Sequence, residues 1–520
     1  MHRFAALLER LVFTPSRNAK LRHIEAYVAE APDPCRGFAM AALAGDMDLR
    51  MATSSRIRGL VEERVDPVLF RLSYDYVGDL AETVALIWPE PAEAAEPPSL
   101  TEAVEALAGA TRVTAGEVLA GLLDRLDASG RLALVKLATG GLRVGVSARL
   151  ARTALARWSG RPLERIEELW SAIDPPYEAL FRWLEGGEKP AVDLSLAFRP
   201  MMLANPVEER WAELDPAEYL AEWKWDGIRV QATAFGGARR LYTRTGEEIG
   251  SAFPDIVGTM DWEGSVDGEL LVVVDGHVRP FAELQRRLGR KAPGARLMAE
   301  APAHLRLYDI LHDGAEDVRA LPLAERRARL EAWQAAHAPR RTDLSDLIPF
   351  ADWQTLTRLR ETARAEGQEG LMLKRADSAY QGGRPVGPWF KWKREPLMAD
   401  CVMLYAQRGH GKRSSFYSDF TFAAWDGEAL VPVGKAYSGY TDEELRQLDR
   451  WIRNNTVDRY GPVRAVAPEL VLEVAFDAVQ RSTRHKSGIA MRFPRIRRIR
   501  WDKPAAEADR LATLEAMIEG

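Results

Sequence analysis

Lys224 stands in the run Glu222-Trp223-Lys224-Trp225-Asp226-Gly227-Ile228-Arg229, and a lysine in that setting can act as a nucleophile. To attack, the amine must shed its proton near neutral pH, which needs desolvation or neighbouring positive charge. Trp223 and Trp225 provide apolar flanks, and Lys391 and Lys393 provide charge if the fold brings them close. Attack by a neutral amine on the α-phosphate of a nucleotide gives a lysyl phosphoramidate and releases pyrophosphate. Two carboxylates suit metal-assisted phosphoryl transfer. Glu269 lies in Val266-Asp267-Gly268-Glu269-Leu270, read as a turn entering a strand that runs to Val274; Glu369 opens the short strand Glu369-Gly370-Leu371-Met372-Leu373. At strand ends facing a cleft they suit Mg²⁺, which takes oxygen ligands and usually keeps several waters.

Arg229, Arg244, Lys391 and Lys393 are the cations expected on the phosphates and sugar, because phosphoryl transfer depends on positioning and on neutralising developing charge. Each feature alone has a plainer reading: Lys224 as an exposed strand lysine, each glutamate as a turn cap, Tyr308 as a core tyrosine, each surface cation as solvated.

The ordered set is more specific than its parts. After the lysine come Tyr242-Thr243-Arg244-Thr245-Gly246-Glu247, Val266-Asp267-Gly268-Glu269-Leu270, Leu307-Tyr308-Asp309-Ile310, Glu369-Gly370-Leu371-Met372-Leu373-Lys374, Trp389-Phe390-Lys391-Trp392-Lys393 and Arg498-Ile499-Arg500-Trp501-Asp502-Lys503. In order and spacing these resemble the nucleotidyltransferase motifs of the ATP-dependent DNA ligases. The resemblance implies that Glu222 helps recognise adenine, that Tyr308 stacks on it where the family more often has Phe, and that Arg384 precedes the paired lysines, here at a spacing one residue longer. It also implies that Arg498, Arg500, Asp502 and Lys503 form the last motif, which swings onto the core and orients the pyrophosphate. The hinge for that swing is expected at 395–400.

Net charge is −5 and the pI near 6.0, yet charge distribution matters more than the sum. Between Arg481 and Lys503 the chain carries Arg481, Arg484, Lys486, Arg492, Arg495, Arg497, Arg498, Arg500 and Lys503 against one acid, Asp502. Such a block suits a phosphate-rich partner, and counterion release makes such binding weaken steeply with salt. A solvated basic strand pair is the alternative. Cys35 and Cys401, the only cysteines, lack metal-type spacing and argue against a zinc module or a disulfide.

Length, composition and pattern organise the chain. At 520 residues, 47% hydrophobic, it implies about three domains. Apolar residues recur at helical spacing at Phe4, Leu7, Leu8 and Leu11, at Val104, Leu107 and Ala108, at Val118, Leu119, Leu122 and Leu123, and at Leu150, Ala154, Leu155 and Trp158. Helices are therefore expected from Phe4 to about Leu184. A proline-rich exposed loop is expected at 89–98 and a second break at 140–146. That second break resembles the Leu-Arg-x-Gly segment of the ligases' helical domain, which makes Arg143 a candidate phosphate contact. Residues 186–190 read as a linker, 198–204 as the next domain's first strand, and 420–425, 430–434 and 470–476 as short strands, with Asp426-Gly427 a hairpin turn. No run is long or apolar enough to cross a membrane, and the amino terminus lacks a signal peptide's apolar core. A basic organelle-targeting helix is the alternative to a first structural helix there. The expected location is the bacterial cytoplasm, in use at the nucleoid.

The expectation is a multidomain chain: an all-α DNA-binding domain (1–186), an α+β nucleotidyltransferase core of ATP-grasp-like ligase type (196–395) and an OB-fold β-barrel (396–510). It uses ATP and Mg²⁺, acts as a monomer on nicked duplex DNA, and contacts that DNA through Arg143, Arg481, Arg484 and Lys486. The adenylation residues are Glu222, Lys224, Arg229, Arg244, Glu269, Tyr308, Glu369, Arg384, Lys391, Lys393, Arg500 and Lys503. Competing readings are an NAD-dependent ligase, which would need a four-cysteine zinc element, and an mRNA capping enzyme or RNA ligase, which needs no helical domain of this size. From another class, a non-catalytic nick-binding clamp would let the motifs decay, whereas Lys224, Glu269, Glu369, Lys391 and Lys393 are intact.

Overall fold

Polar caps and left-handed glycines cut the first 184 residues into helices. Ser147 accepts from the Leu150 N–H to start helix Ala148–Ser159, and Gly160 at φ 68° ends it. Asp127 and Gly140 do the same for Ala128–Thr139. The computed structural model describes all residues except 48, 50–52, 91–95, 112, 208–212, 289, 291, 364–366, 410–414, 484 and 519–520. Its first helix, His2–Phe13, buries Phe4, Leu7, Leu8 and Leu11. Val104, Leu107, Leu119, Leu122, Leu123, Ala154 and Leu155 are buried likewise. Residues 89–90 and 96–99 are neither helix nor strand, and the middle of the expected 89–98 loop lies outside the described residues. No described helix is long and apolar enough to cross a membrane.

By internal contacts the chain divides into two units: Met1–Arg161, Pro175–Gly186 and Pro396–Gly520 form one, Pro162–Asp174 and Gly187–Glu395 the other. The break between Gly186 and Gly187 falls in the expected linker. Helix Leu163–Trp170 belongs to the second unit, where Glu168 accepts from Arg319 Nη2 at 3.0 Å.

Two sheets build the second unit. One contains Asn205–Pro206 (β1), Tyr219–Trp225 (β2), Leu347–Ile348 (β10), Gln368–Arg375 (β11) and Trp389–Lys393 (β12), in the order β1-β12-β11-β2-β10. The other is built on Ile228–Phe235 (β3), Ala238–Thr243 (β4), Gly264–Val274 (β5) and Ala303–Asp313 (β7), extended by His277–Val278 (β6), Glu316–Asp317 (β8) and Thr342–Leu344 (β9). Strand alternation sorts side chains between faces. In the first sheet Ala221, Leu371, Leu373, Phe390 and Trp392 pack with Trp353 and Leu356 of helix Trp353–Thr362. Burying each of the three leucines contributes roughly 2 kcal/mol. Glu222, Lys224, Met372, Lys374, Lys391 and Lys393 therefore share the opposite face. The turn Asp226-Gly227 carries β2 into β3, and Gly227 is required because a Cβ there would lie 2.5 Å from the Leu270 carbonyl oxygen.

Three expectations need correction here. Residues 198–204 are not a strand; the only pairing is an isolated bridge of Met202 to Gly383. Pro200 lacks an N–H, and the Arg199 N–H is taken by the Gln231 side chain at 2.9 Å. Residues 266–268 are not a turn but lie inside continuous β5, whose register against β7 shifts between Ser265 and Val266 and again between Asp267 and Gly268. The expected hinge at 395–400 narrows to 395–396, where the break between the two units falls, because Leu397 to Asp400 are already strand. Only 394–396 separate β12 from Leu397–Arg408 (β13), and Leu397 to Asp400 pair with Phe476 to Glu473.

The carboxy-terminal part of the first unit is β-rich. β13, Tyr417–Asp426 (β14), Ala429–Ala436 (β15), Thr456–Tyr460 (β16), Val463–Val466 (β17), Val471–Phe476 (β18) and Arg495–Arg500 (β21) form one sheet. Its core includes Phe420, Phe422 and Phe476, with Leu448 and Ile452 of helix Asp442–Asn454. The Asp426-Gly427 hairpin joins β14 to β15, with Gly427 at φ 61°. Ala478–Arg481 (β19) and Ile489–Arg492 (β20) form a separate hairpin.

Candidate nucleotide-transfer site

Lys224 projects from the end of β2, opposite Gly370 of β11. In this register Gln368 faces Trp225 and Gly370 faces Lys224, so Glu369 is an extra, bulged residue. Regular alternation would send Glu369 to the face away from Lys224; the bulge turns it back. Glu369 Oε2 accepts the hydrogen bond of Lys224 Nζ and lies 3.6 Å from Lys393 Nζ. Burial alone would raise the Glu369 carboxyl, but Lys224 and Lys393 hold it well below the usual carboxylate range. Gly370 makes the bulge possible at φ 142°, where it packs against the Trp392 carbonyl.

A second bulge aims Tyr308. Asp267 faces Asp309 and Gly268 faces Leu307, leaving Tyr308 without a cross-strand partner. Its ring lies 4.2 Å from Lys374 Nζ and 5.7 Å from the Arg229 guanidinium carbon. Beneath it Lys374 Nζ donates to Glu222 Oε1 at 2.9 Å, both side chains almost wholly buried.

Arg229, Arg244, Glu269, Arg384 and Lys391 of the expected residues converge here. Arg229, Glu269 and Arg306 are cross-strand neighbours on one face. Burial pushes the Glu269 carboxyl up to about 8 although Lys224 and Arg229 pull it down; Asp267 and Glu369 add to the rise. Lys391 is lowered by burial and then by repulsion from Arg384, Lys393, Lys224 and Arg244. Arg244 is lowered by burial, then by Arg229 and Arg384. Lys224, Arg229, Arg244, Arg384, Lys391 and Lys393 outnumber the carboxylates paired with them here, Glu369 and Asp267, and such an excess of positive charge fits a polyphosphate. Glu269 has no hydrogen bond or ion pair among the described residues and stands beside Glu369, so its carboxylate fits a divalent cation.

Arg500 and Lys503 belong to the other unit, where both donate to Asp400 Oδ2, at 3.2 and 2.7 Å. Arg500 also pairs with Asp502, and Arg495 with Asp477. The basic block thus gains acids from outside its own stretch, namely Asp400 and Asp477. Arg481 and Lys486 are exposed on the β19–β20 hairpin; Arg484 lies outside the described residues. Arg143 is exposed in the 140–147 break, whose Val144 and Gly145 carbonyls are held by the buried Lys20 ammonium at 2.8 and 2.9 Å.

Sequence reasoning assigned no role to Lys374, Asp267 and Tyr380. The first two lie inside the motifs, and their spacing of two from Met372 and Glu269 on alternating strands could have flagged them. Tyr380 carries no spacing signal.

The chain is similar to known proteins over most of its length. A model described as ATP dependent DNA ligase domain matches residues 200–393, and one described as ATP dependent DNA ligase C terminal region matches 413–503. A probable DNA ligase of Koribacter versatilis is 38% identical, over 76% of this chain and 73% of its own length. A probable DNA ligase of Saccharopolyspora erythraea is 36% identical, over 83% and 85%. The solved structure titled "Pmar-Lig_Pre." shares the fold, with a TM-score of 0.64 at 15% identity over 96% of this chain and 99% of its own.

Proposed function

The chain belongs to the ATP-dependent DNA ligases, and from that premise we propose that it seals nicks in duplex DNA by three phosphoryl transfers that begin on Lys224. The observation that carries the reading is the bulge that delivers Glu369 onto Lys224 within a basin of cations. In the first transfer Lys224 Nζ bonds to the α-phosphorus of ATP while the bond to the bridging oxygen breaks, and pyrophosphate leaves. Glu369 fixes the direction of the amine; its depressed pKa makes it an orienter rather than a proton acceptor. In the second, a 5′-phosphate oxygen at the nick attacks the adenylyl phosphorus and Lys224 leaves. In the third, the 3′-hydroxyl attacks the DNA 5′-phosphorus and AMP leaves.

Arg229, Arg244, Arg384, Lys391 and Lys393 hold phosphates and sugar, while Tyr308 and Glu222 hold the base, with Lys374 holding Glu222 in place through its hydrogen bond. Arg500 and Lys503 serve the pyrophosphate. Glu269 and Glu369 would hold Mg²⁺, which when bound would supply positive charge to offset that on the phosphates. Residues 1–186 serve as a helical DNA-binding domain, 196–395 as the adenylation domain and 396–510 as an OB-fold; Arg143, Arg481, Arg484 and Lys486 meet backbone phosphates. The enzyme acts as a monomer in the cytoplasm.

The test is sealing of a nicked duplex, labelled at the nick's 5′-phosphate, by the full chain with ATP and Mg²⁺. A longer labelled strand that requires ATP supports the reading. No product with ATP, but product with NAD or only at an RNA nick, overturns it.

A further inference from the structure

Two buried carboxylates lie side by side beneath the nucleotide site. Asp267 on β5 faces Asp309 on β7, and neither exposes any surface. Each has its own arginine: Arg229 Nε and Nη2 donate to Asp267 at 3.0 and 2.6 Å, Arg326 Nε and Nη2 to Asp309 at 2.8 and 2.9 Å. A guanidinium apiece offsets the repulsion and the burial cost of two like charges on adjacent strands.

Tyr380 stands between the two pairs. Its hydroxyl lies 2.6 Å from Asp267 Oδ2 and 3.3 Å from Arg229 Nη2, and the Arg326 guanidinium carbon sits 5.7 Å from its ring centroid. Burial and then Asp267 push the phenol pKa well above its ordinary value, so the hydroxyl is a fixed donor to Asp267. Its backbone N–H donates to the Arg319 carbonyl at 2.8 Å, and nearby Gly383 donates to the Met201 carbonyl at 3.0 Å. Both bonds tie down the segment that carries Arg384.

The guanidinium of Arg229 is nearly spent. Nε and Nη2 serve Asp267, Nη2 also reaches the Tyr380 oxygen, and Nη1 donates to the Met202 carbonyl at 2.6 Å. Of five N–H bonds, the described contacts leave one, on Nη1. A lone N–H matches a single sugar oxygen, whereas a phosphate is best clamped by two parallel N–H bonds.

We propose that Tyr380 is a positioning residue for nucleotide selection: by holding Asp267 it fixes the plane of the Arg229 guanidinium, whose remaining N–H then addresses a hydroxyl of the nucleotide sugar. The proposal rests on the reading that Arg229 binds the nucleotide. Tyr380 itself touches no substrate.

The experiment is self-adenylation of the full chain, titrated with ATP, 2′-deoxyATP and 3′-deoxyATP, for wild type, Tyr380→Phe and Arg229→Ala. Wild type should favour ATP over at least one deoxy analogue. In Tyr380→Phe the half-saturating ATP should rise roughly threefold to tenfold, as expected for one hydrogen bond, while that analogue shifts little, so the preference narrows at unchanged maximal rate. An equal shift for all three nucleotides, or none, overturns the proposal, since a purely structural tyrosine cannot discriminate among sugars. If Arg229→Ala leaves the preference intact, the nucleotide role of Arg229 falls and the proposal with it. If Arg229→Ala removes the preference and Tyr380→Phe does not, only the proposal falls. Should Tyr380→Phe not fold, 3-fluorotyrosine at position 380, a stronger donor of nearly the same size, must lower half-saturating ATP; an unchanged value overturns the proposal.

Discussion

Replacing Gly370 with alanine tests the bulge that delivers Glu369. A Cβ at 370 would press into the Trp392 carbonyl and stand 2.8 Å from Lys393 Cα, on a backbone at φ 142°. Holding a non-glycine residue there costs about 1–3 kcal/mol, and overpacking against the β12 backbone costs about 1–3 more. A central loss of about 4 kcal/mol lowers the melting temperature of a unit of this size by roughly 8–16 °C. The chain can relieve the strain by flattening the bulge, which restores alternation and turns Glu369 away from Lys224. Misplacement of a reacting group by about 1 Å costs on the order of a hundredfold in rate, so adenylation should fall at least that far. The assay is circular dichroism melting of the full chain with and without ATP, the ATP-shifted transition reporting the second unit, together with the adenylation rate. Glu369→Gln separates the two effects: it should lose adenylation while keeping its melting temperature. A Gly370→Ala protein that melts within about 2 °C of wild type and adenylates normally would refute the bulge as the device that places Glu369.

Lys374→Met strands the buried Glu222 carboxylate and should cost about 3–5 kcal/mol in urea unfolding; adding Glu222→Gln should recover much of it, and purely additive effects would show that the pair does not form. His312 is buried, its imidazole lowered to about 4 by burial and then by Arg199. Because its folded pKa is depressed, it contributes stability in full above about 6.5 and loses it as pH falls through 4, a change of ~3 kcal/mol at most. His312→Gln should therefore show a shallower loss of urea stability between those pH values than wild type, and parallel curves would contradict the assignment. Arg481→Ala with Lys486→Ala should weaken nicked-duplex binding and reduce the slope of log affinity against log salt by about 1 per lost contact, as read by fluorescence anisotropy. An unchanged slope would remove the β19–β20 hairpin from the DNA surface.

Much of the site was legible because its residues are fixed by chemistry rather than by packing. Lys224, Glu269, Lys391 and Lys393 fall on strands whose two-residue period puts them on facing surfaces, and the helical stripe from Phe4 to Leu11 needs only the α period. What escaped depends on departures from regularity. The bulges at Glu369 and Tyr308 insert a residue into one strand, which no alternation pattern reveals, and Asp267-Gly268 looks like a turn until β3 and β7 pair on either side of it. Residues 198–204 look like a strand by composition, yet Pro200 and the side chain of Gln231 take them out of any ladder. The acids that answer the basic block, Asp400 and Asp477, are distant in sequence from much of it and come near only through sheet pairing.

The most direct test of the account follows the adenylyl group itself. The full chain is incubated with α-labelled ATP and Mg²⁺, the labelled peptide is identified by mass spectrometry, and the remainder is chased with nicked duplex DNA. The account predicts acid-labile label on Lys224, none in Lys224→Ala, and transfer of that label first to the DNA 5′-phosphate and then to free AMP as the nick closes. Label on another residue, or label on Lys224 that nicked DNA cannot discharge, would contradict it.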